Sequence, residues 1–160
     1  FPIPSKLYGR VGATLHKLNW LEQLSVVLYF PPCPKSTRAQ HIVTEMVEWL
    51  ALVLATMNDS TNLTILMDMN DNDHRGSVNW GSAYGDYNLA DRPAGFTIEH
   101  LMPVLEQYNC TVTDSHFDME PSFYGPTGGT SNIDHVVSHQ SALNDTVSAW
   151  VHNEWGDKLQ

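Results

Sequence analysis

Residues 63–74 read Leu63-Thr64-Ile65-Leu66-Met67-Asp68-Met69-Asn70-Asp71-Asn72-Asp73-His74, an apolar run that ends abruptly in acids and amides. The run predicts a buried strand from Leu63, and residues two apart on a strand share a side, so Asp68 and Asn70 are expected together at its end. A carboxylate beside an amide at a strand end suits a metal ion or an oriented water. Asp and Asn also favour turns and helix caps, and these residues alone leave both readings open. A calcium loop is excluded. Starting at Asp68, the sixth position is Asp73 and the twelfth Asn79; starting at Asp71, Gly76 falls correctly, but Arg75 and Ser82 occupy ligand positions.

Upstream, Ser25–Phe30 (SVVLYF) is a second β-rich run, stopped by Pro31-Pro32. Between the two strands lies a helical pattern. Thr37 and Gln40 have capping-box spacing, and Ile42, Met46, Trp49, Leu50, Val53 and Leu54 repeat on one face, away from His41, Glu45 and Glu48. The first twenty residues carry Pro and Gly without a sustained period and read as loop, with at most one short strand. Downstream, Asn70 to Ala94 is a polar stretch too long for an idle connection. A helix is expected from Thr97, with Ile98, Leu101, Leu105 and Tyr108 on one face and a kink at Pro103. Strands are expected at Cys110–Phe117 and Ile133–Ser138, separated by the turn GPTGGTSN. There are no repeats and no linker, so 1–160 reads as one domain. Strands alternating with helices predict an α/β layered fold.

The chain of 160 residues is 42% apolar and 16% charged, enough to bury a core. No apolar run reaches the roughly 18 residues that would span a membrane. The net charge of −10 argues against a general nucleic-acid glove with a basic surface, but the charge is unevenly spread. Lys6, Arg10, Lys17, Lys35 and Arg38 face only Glu22 within residues 1–40, a net of +4, while 41–160 carry −14. Cys33 and Cys110 make no disulfide framework and are expected to be reduced. Asn58, Asn62, Asn109 and Asn144 each open a glycan acceptor triplet, yet Asn62 begins the buried strand, where a glycan could not sit. The protein is therefore expected to be intracellular rather than secreted.

Two further groups of residues bear on chemistry. In Ser131-Asn132-Ile133-Asp134-His135-Val136-Val137-Ser138-His139, Asp134 interrupts a β-branched strand. It either pairs with a histidine or a metal ion, or faces water from an edge strand. His135 and His139 are poorly spaced for a zinc pair on a strand. The other group is Tyr29-Phe30-Pro31-Pro32 with Arg38 shortly after; the tyrosine alone would pass for packing. No nucleophile elbow, P-loop or dinucleotide glycine pattern occurs.

In order and spacing, Tyr29-Phe30-Pro31-Pro32, Arg38, Trp49-Leu50, Asp68-Met69-Asn70, Phe123-Tyr124 and Ser131-Asn132-Ile133-Asp134 resemble the endonuclease/exonuclease/phosphatase superfamily, with its DNase-I-like fold. Within it they resemble the apurinic-endonuclease-like domains of LINE-type retrotransposons, over about residues 24–140. The resemblance implies part of a four-layered α/β sandwich and hydrolysis of a phosphodiester with Mg²⁺, or Mn²⁺ in its place. It implies that Asp68 orients or deprotonates the attacking water, that Asn70 and Tyr29 hold the scissile phosphate, and that Asp134 pairs with a catalytic histidine. Asp68 and Asn70 are the implied metal ligands. Arg38 is expected on backbone phosphate, and the implied partner is DNA, with a reverse transcriptase domain in a parent polyprotein and a nuclear location if active.

The departures from the family are specific. An upstream Asn and metal-binding Glu and a downstream Asp-His have no counterparts, since Glu22 sits in Trp-Leu-Glu-Gln-Leu and His152 follows no Asp. The chain is therefore expected to be a portion truncated at both ends, weak or inactive alone. Met67 replaces the usual Gly before Asp68. The rival expectations are another phosphatase or phosphodiesterase of the same fold, and a retroelement relic without catalysis.

Overall fold

The computed structural model describes residues 1–19, 21–32, 34–71, 95–117, 122–124, 130–131 and 133–146. A five-stranded mixed sheet is backed on one side by two helices, the α/β architecture that the alternating pattern predicts. β1 (Val11–Leu18) and β2 (Leu21–Tyr29) form an antiparallel hairpin. α1 (Thr37–Leu54) crosses over to β3 (Thr61–Asp68), which runs parallel to β2. After α2 (Phe96–Gln107) come β4 (Cys110–Val112), a small ladder of β5 (Phe123–Tyr124) with β6 (Thr130–Ser131), and β7 (Asp134–His139). β7 inserts between β3 and β4, antiparallel to both, so the order is β1-β2-β3-β7-β4.

Strand alternation sorts the sheet into two faces. Leu24, Val26 and Leu28, Leu63, Ile65 and Met67, and Val137 with Cys110 and Val112 are buried towards the helices. There they meet Val43, Met46, Trp49, Leu50, Val53 and Leu54 of α1 and Ile98, Leu101 and Leu105 of α2. The other face carries Val27, Leu66 and Val136, paired across β2, β3 and β7 and 54%, 50% and 39% exposed. An apolar row left open to this extent in mid-sheet marks a face built to be covered. Among the described residues, no helix is long and apolar enough to cross a membrane.

Several elements differ from the sequence expectation. Residues 11–18 form a full strand, because Val11, Ala13 and Leu15 alternate inward while Gly12, Thr14 and His16 do not, a pattern the glycine conceals. β2 starts at Leu21, four residues early, because it pairs with that hairpin partner. The cap of α1 is Ser36, whose hydroxyl accepts from the Ala39 N–H at 3.2 Å, so the capping box on Thr37 and Gln40 is displaced by one residue. α2 runs through Pro103 to Gln107. The expected strand at 110–117 stops at Val112 and turns into a 3₁₀ segment, Thr113–His116. Asn62 does lie in β3, but its side chain is exposed, so burial does not bar a glycan there. Most of the polar stretch 70–94, and the turn at 125–129, lie outside the described residues.

Candidate active site

Tyr29 is the last residue of β2, Asp68 the last of β3 and Asp134 the first of β7. Tyr29 pairs with Asp68 and Asp68 with Asp134, so three residues from distant parts of the chain form one rung on the open face. Asp134 is exposed, as the water-facing alternative expects; β7 is not an edge strand, but β4 stops short of Asp134, which is flanked by β3 alone. Met67, the residue in place of the usual Gly, points into the helix-side core and does not obstruct this face.

Asn70 reaches the rung by another route than the one expected. β3 ends at Asp68, and Asn70 adopts φ 50°, a left-handed conformation that asparagine tolerates better than most residues. This turn, rather than strand alternation, brings its backbone N–H and side chain back towards Asp68, where both favour the charged carboxylate. The Asn70 amide also donates to the Phe30 carbonyl at 2.9 Å, tying the end of β3 to the end of β2. The acid–amide cluster then divides. Asp71 caps α2, its Oδ2 accepting from the Thr97 and Ile98 N–H groups at 2.8 and 3.3 Å. The cap reading of the cluster holds for Asp71.

Asp68 is electrostatically strained. Burial, followed by the neighbouring Asp134 charge, raises its pKa above the ordinary 3.8, against the hydrogen bonds from Asn70 and the field of His135. Its Oδ1 is buried and accepts no hydrogen bond among the described residues. An orphaned carboxylate oxygen beside a second carboxylate fits a divalent cation, with Asp68 as ligand and Asn70 next to it. Among the described residues no three acidic, histidine or cysteine side chains gather into a complete ligand set.

A guanidinium flanks the rung. Arg10 lies over the Tyr29 ring at 5.5 Å from the centroid, donates to the Tyr29 carbonyl at 3.3 Å and accepts from the Tyr29 N–H through its own carbonyl at 2.8 Å. Arg38 is exposed in the first turn of α1, at the same end of the sheet but in the helix layer. The sequence reading has Arg10 only as one of five bases near the start of the chain; its place beside Tyr29 was missed because β1 was.

One acid–histidine pair was also missed. Asp114 Oδ2 lies 2.8 Å from His135 Nδ1, and both residues are buried. The signal was present, since Asp114-Ser115 interrupts the apolar strand assigned to 110–117. Glu22 lies at the opposite end of the sheet, paired with Lys17 and Asn58, and takes no part in the rung. The side chains of Phe123, Tyr124 and Ser131, and all of His152, lie outside the described residues.

This sheet and its two helices are the DNase-I-like fold. The chain is similar to the endonuclease domain of TRAS1, a telomere-specific non-LTR retrotransposon, with 19% identity and a TM-score of 0.54 over 84% of this chain and 52% of that one. It is also similar to the 3′ phosphatase NExo from Neisseria, bound to a product DNA hairpin, at 9% identity and a TM-score of 0.51, covering 82% and 53%. The chain thus spans about half the length of these two structures. No family model matches the chain, and no curated protein does.

Proposed function

We propose that the rung Tyr29–Asp68–Asp134 is part of a phosphodiesterase site that cuts DNA, in an endonuclease of the retrotransposon type. The observation that carries this is Asp68: a partly buried carboxylate with one orphaned oxygen, next to a second carboxylate, at the mouth of an open sheet face. Mg²⁺, or Mn²⁺ in its place, held by Asp68 and Asn70, would supply the positive charge that phosphoryl oxygens demand as the P–O bond breaks.

The protein's own groups divide the remaining work. Asp68 orients the attacking water and accepts its proton. Asn70 lies beside the Asp68 carboxylate, favouring its charged form, and presents its amide to the scissile phosphate. The Tyr29 side chain, 45% exposed, offers a hydroxyl donor, and Arg10 beside it offers a cation to the backbone. Asp134 completes the rung and sharpens the negative field that draws a cation.

A second reading has its own support, because one structural relative is a 3′ phosphatase bound to DNA. Removal of a terminal phosphate uses the same charge demand on a different ester. The two are separated by Mg²⁺-dependent turnover on supercoiled plasmid and on a hairpin with a 3′-phosphate. Nicking that EDTA stops and Asp68→Ala abolishes supports the endonuclease reading. Phosphate release with intact plasmid replaces it with the phosphatase reading, and activity undiminished by Asp68→Ala rejects both.

A further inference from the structure

The start of β7 is anchored more heavily than a sheet strand requires. β4 ends at Val112, which pairs with Val137, so the Val136 N–H has no strand beside it. Asp114 fills that place: its Oδ1 accepts from Val136 N–H at 2.7 Å while its Oδ2 holds His135 Nδ1 at 2.8 Å. Asp114 and His135 are each 3% exposed. On the preceding residues, Ser122 Oγ accepts from the Ile133 and Asp134 N–H groups at 3.1 and 3.2 Å, and the Ile133 carbonyl accepts from Met69 N–H at 2.6 Å. Asp134 is exposed, so its own side chain cannot set the strand's position; the buried neighbours on either side do.

A buried carboxylate that satisfies a main-chain donor and a ring nitrogen of consecutive residues fixes the strand in depth and register at once. A change of one residue in register would turn Asp134 to the helix side and His135 to the open face. The carboxylate acceptor also selects the ring tautomer, with the proton on Nδ1.

We propose that Asp114 is a positioning residue for the site: acting through His135 and Val136, it holds Asp134 in the rung beside Asp68. This rests on the hydrolytic reading above. It predicts an effect on turnover rather than on substrate binding, because a displacement of about 1 Å at a reacting group costs up to about 100-fold in rate.

The test is Mg²⁺-dependent nicking of plasmid by Asp114→Ala, Asp114→Asn and Asp68→Ala, each with its thermal melt. Asp114→Ala should lower kcat by about 100-fold with KM within about threefold. Asp114→Asn keeps an acceptor for Val136 and an amide facing His135, and should recover kcat to within about tenfold of the parent. If Asp114→Ala does not melt cooperatively, His135→Ala and His135→Asn take its place; the asparagine amide stands where Nδ1 stood. There the alanine should lose about tenfold in kcat and the asparagine no more than about threefold. Folded Asp114→Ala with unchanged kcat, or a rise in KM alone, overturns the inference. In the substitute pair, an unchanged His135→Ala does the same. If Asp68→Ala is inactive while Asp114→Ala is not, only the positioning role fails; if Asp68→Ala is as active as the parent, the hydrolytic reading fails first.

Discussion

The two ends of the parallel pair β2–β3 carry carboxylates in opposite conditions, Glu22 on β2 and Asp68 on β3. At the start of the strand, Glu22 pairs with Lys17 at 2.7 Å and accepts from Asn58 at 2.9 Å and from Thr61 Oγ1, and its pKa is lowered, chiefly by the Lys17 hydrogen bond. At the far end, Asp68 faces Asp134, keeps one oxygen without a hydrogen bond among the described residues, and its pKa is raised by burial and by that neighbour. Seven residues of strand separate the two, about 23 Å at roughly 3.3 Å per residue. A carboxylate that serves stability recruits its own cation from the chain. One that does not leaves that charge to be supplied from outside.

The contrast can be broken or sharpened by substitution. After the loss of activity expected at Asp68, the largest effect is expected at Asp134: Asp134→Ala should reduce metal-dependent nicking by about 100-fold or more, measured by steady-state turnover. Tyr29→Phe removes one donor to the phosphate and should cost about tenfold in kcat/KM. Gly95→Ala tests how the acid–amide cluster divides. A methyl there would lie 1.5 Å from Asp71 Oδ1, so the cap of α2 must give way, at about 1–3 kcal/mol by denaturant unfolding.

Smaller effects follow from pH. For Asp68 the folded pKa is above the unfolded one, so ionisation at neutral pH destabilises the fold. Asp68→Asn should therefore melt higher at pH 7; the gain should vanish below the ordinary 3.8, where both states are protonated, and reach its full size above the raised folded value. For Glu22 the sign is opposite. Its folded pKa lies below 4.5, so it stabilises above that value and the benefit is lost as pH falls through the depressed folded value. Glu22→Gln should melt slightly lower at pH 7, and less so in high salt, which screens exposed pairs.

Much of this was legible in the sequence because it is local. Ser25–Phe30, Ile65–Asp68 and Val136–Ser138 carry their apolar alternation on the surface of the text, and Met46, Trp49, Leu50 and Val53 repeat at helical spacing. The rung was legible only through resemblance, since nothing in residues 29, 68 and 134 says that they pair. What stayed hidden depends on tertiary placement. β1 is a weak pattern that becomes a strand by pairing with β2, and Arg10 arrives with it. The left-handed turn at Asn70 and the meeting of Asp114 with His135 across 21 residues follow from no periodicity.

The central claim is that the unsatisfied end of the sheet, not the satisfied one, carries the chemistry. It is tested most directly by Mg²⁺-dependent nicking of supercoiled plasmid by the whole protein that carries this chain, with Asp68→Asn and Glu22→Gln versions of it side by side. The account predicts nicking by the protein and by Glu22→Gln, and none by Asp68→Asn even though that variant melts higher. Nicking by Asp68→Asn at the parent rate would contradict it.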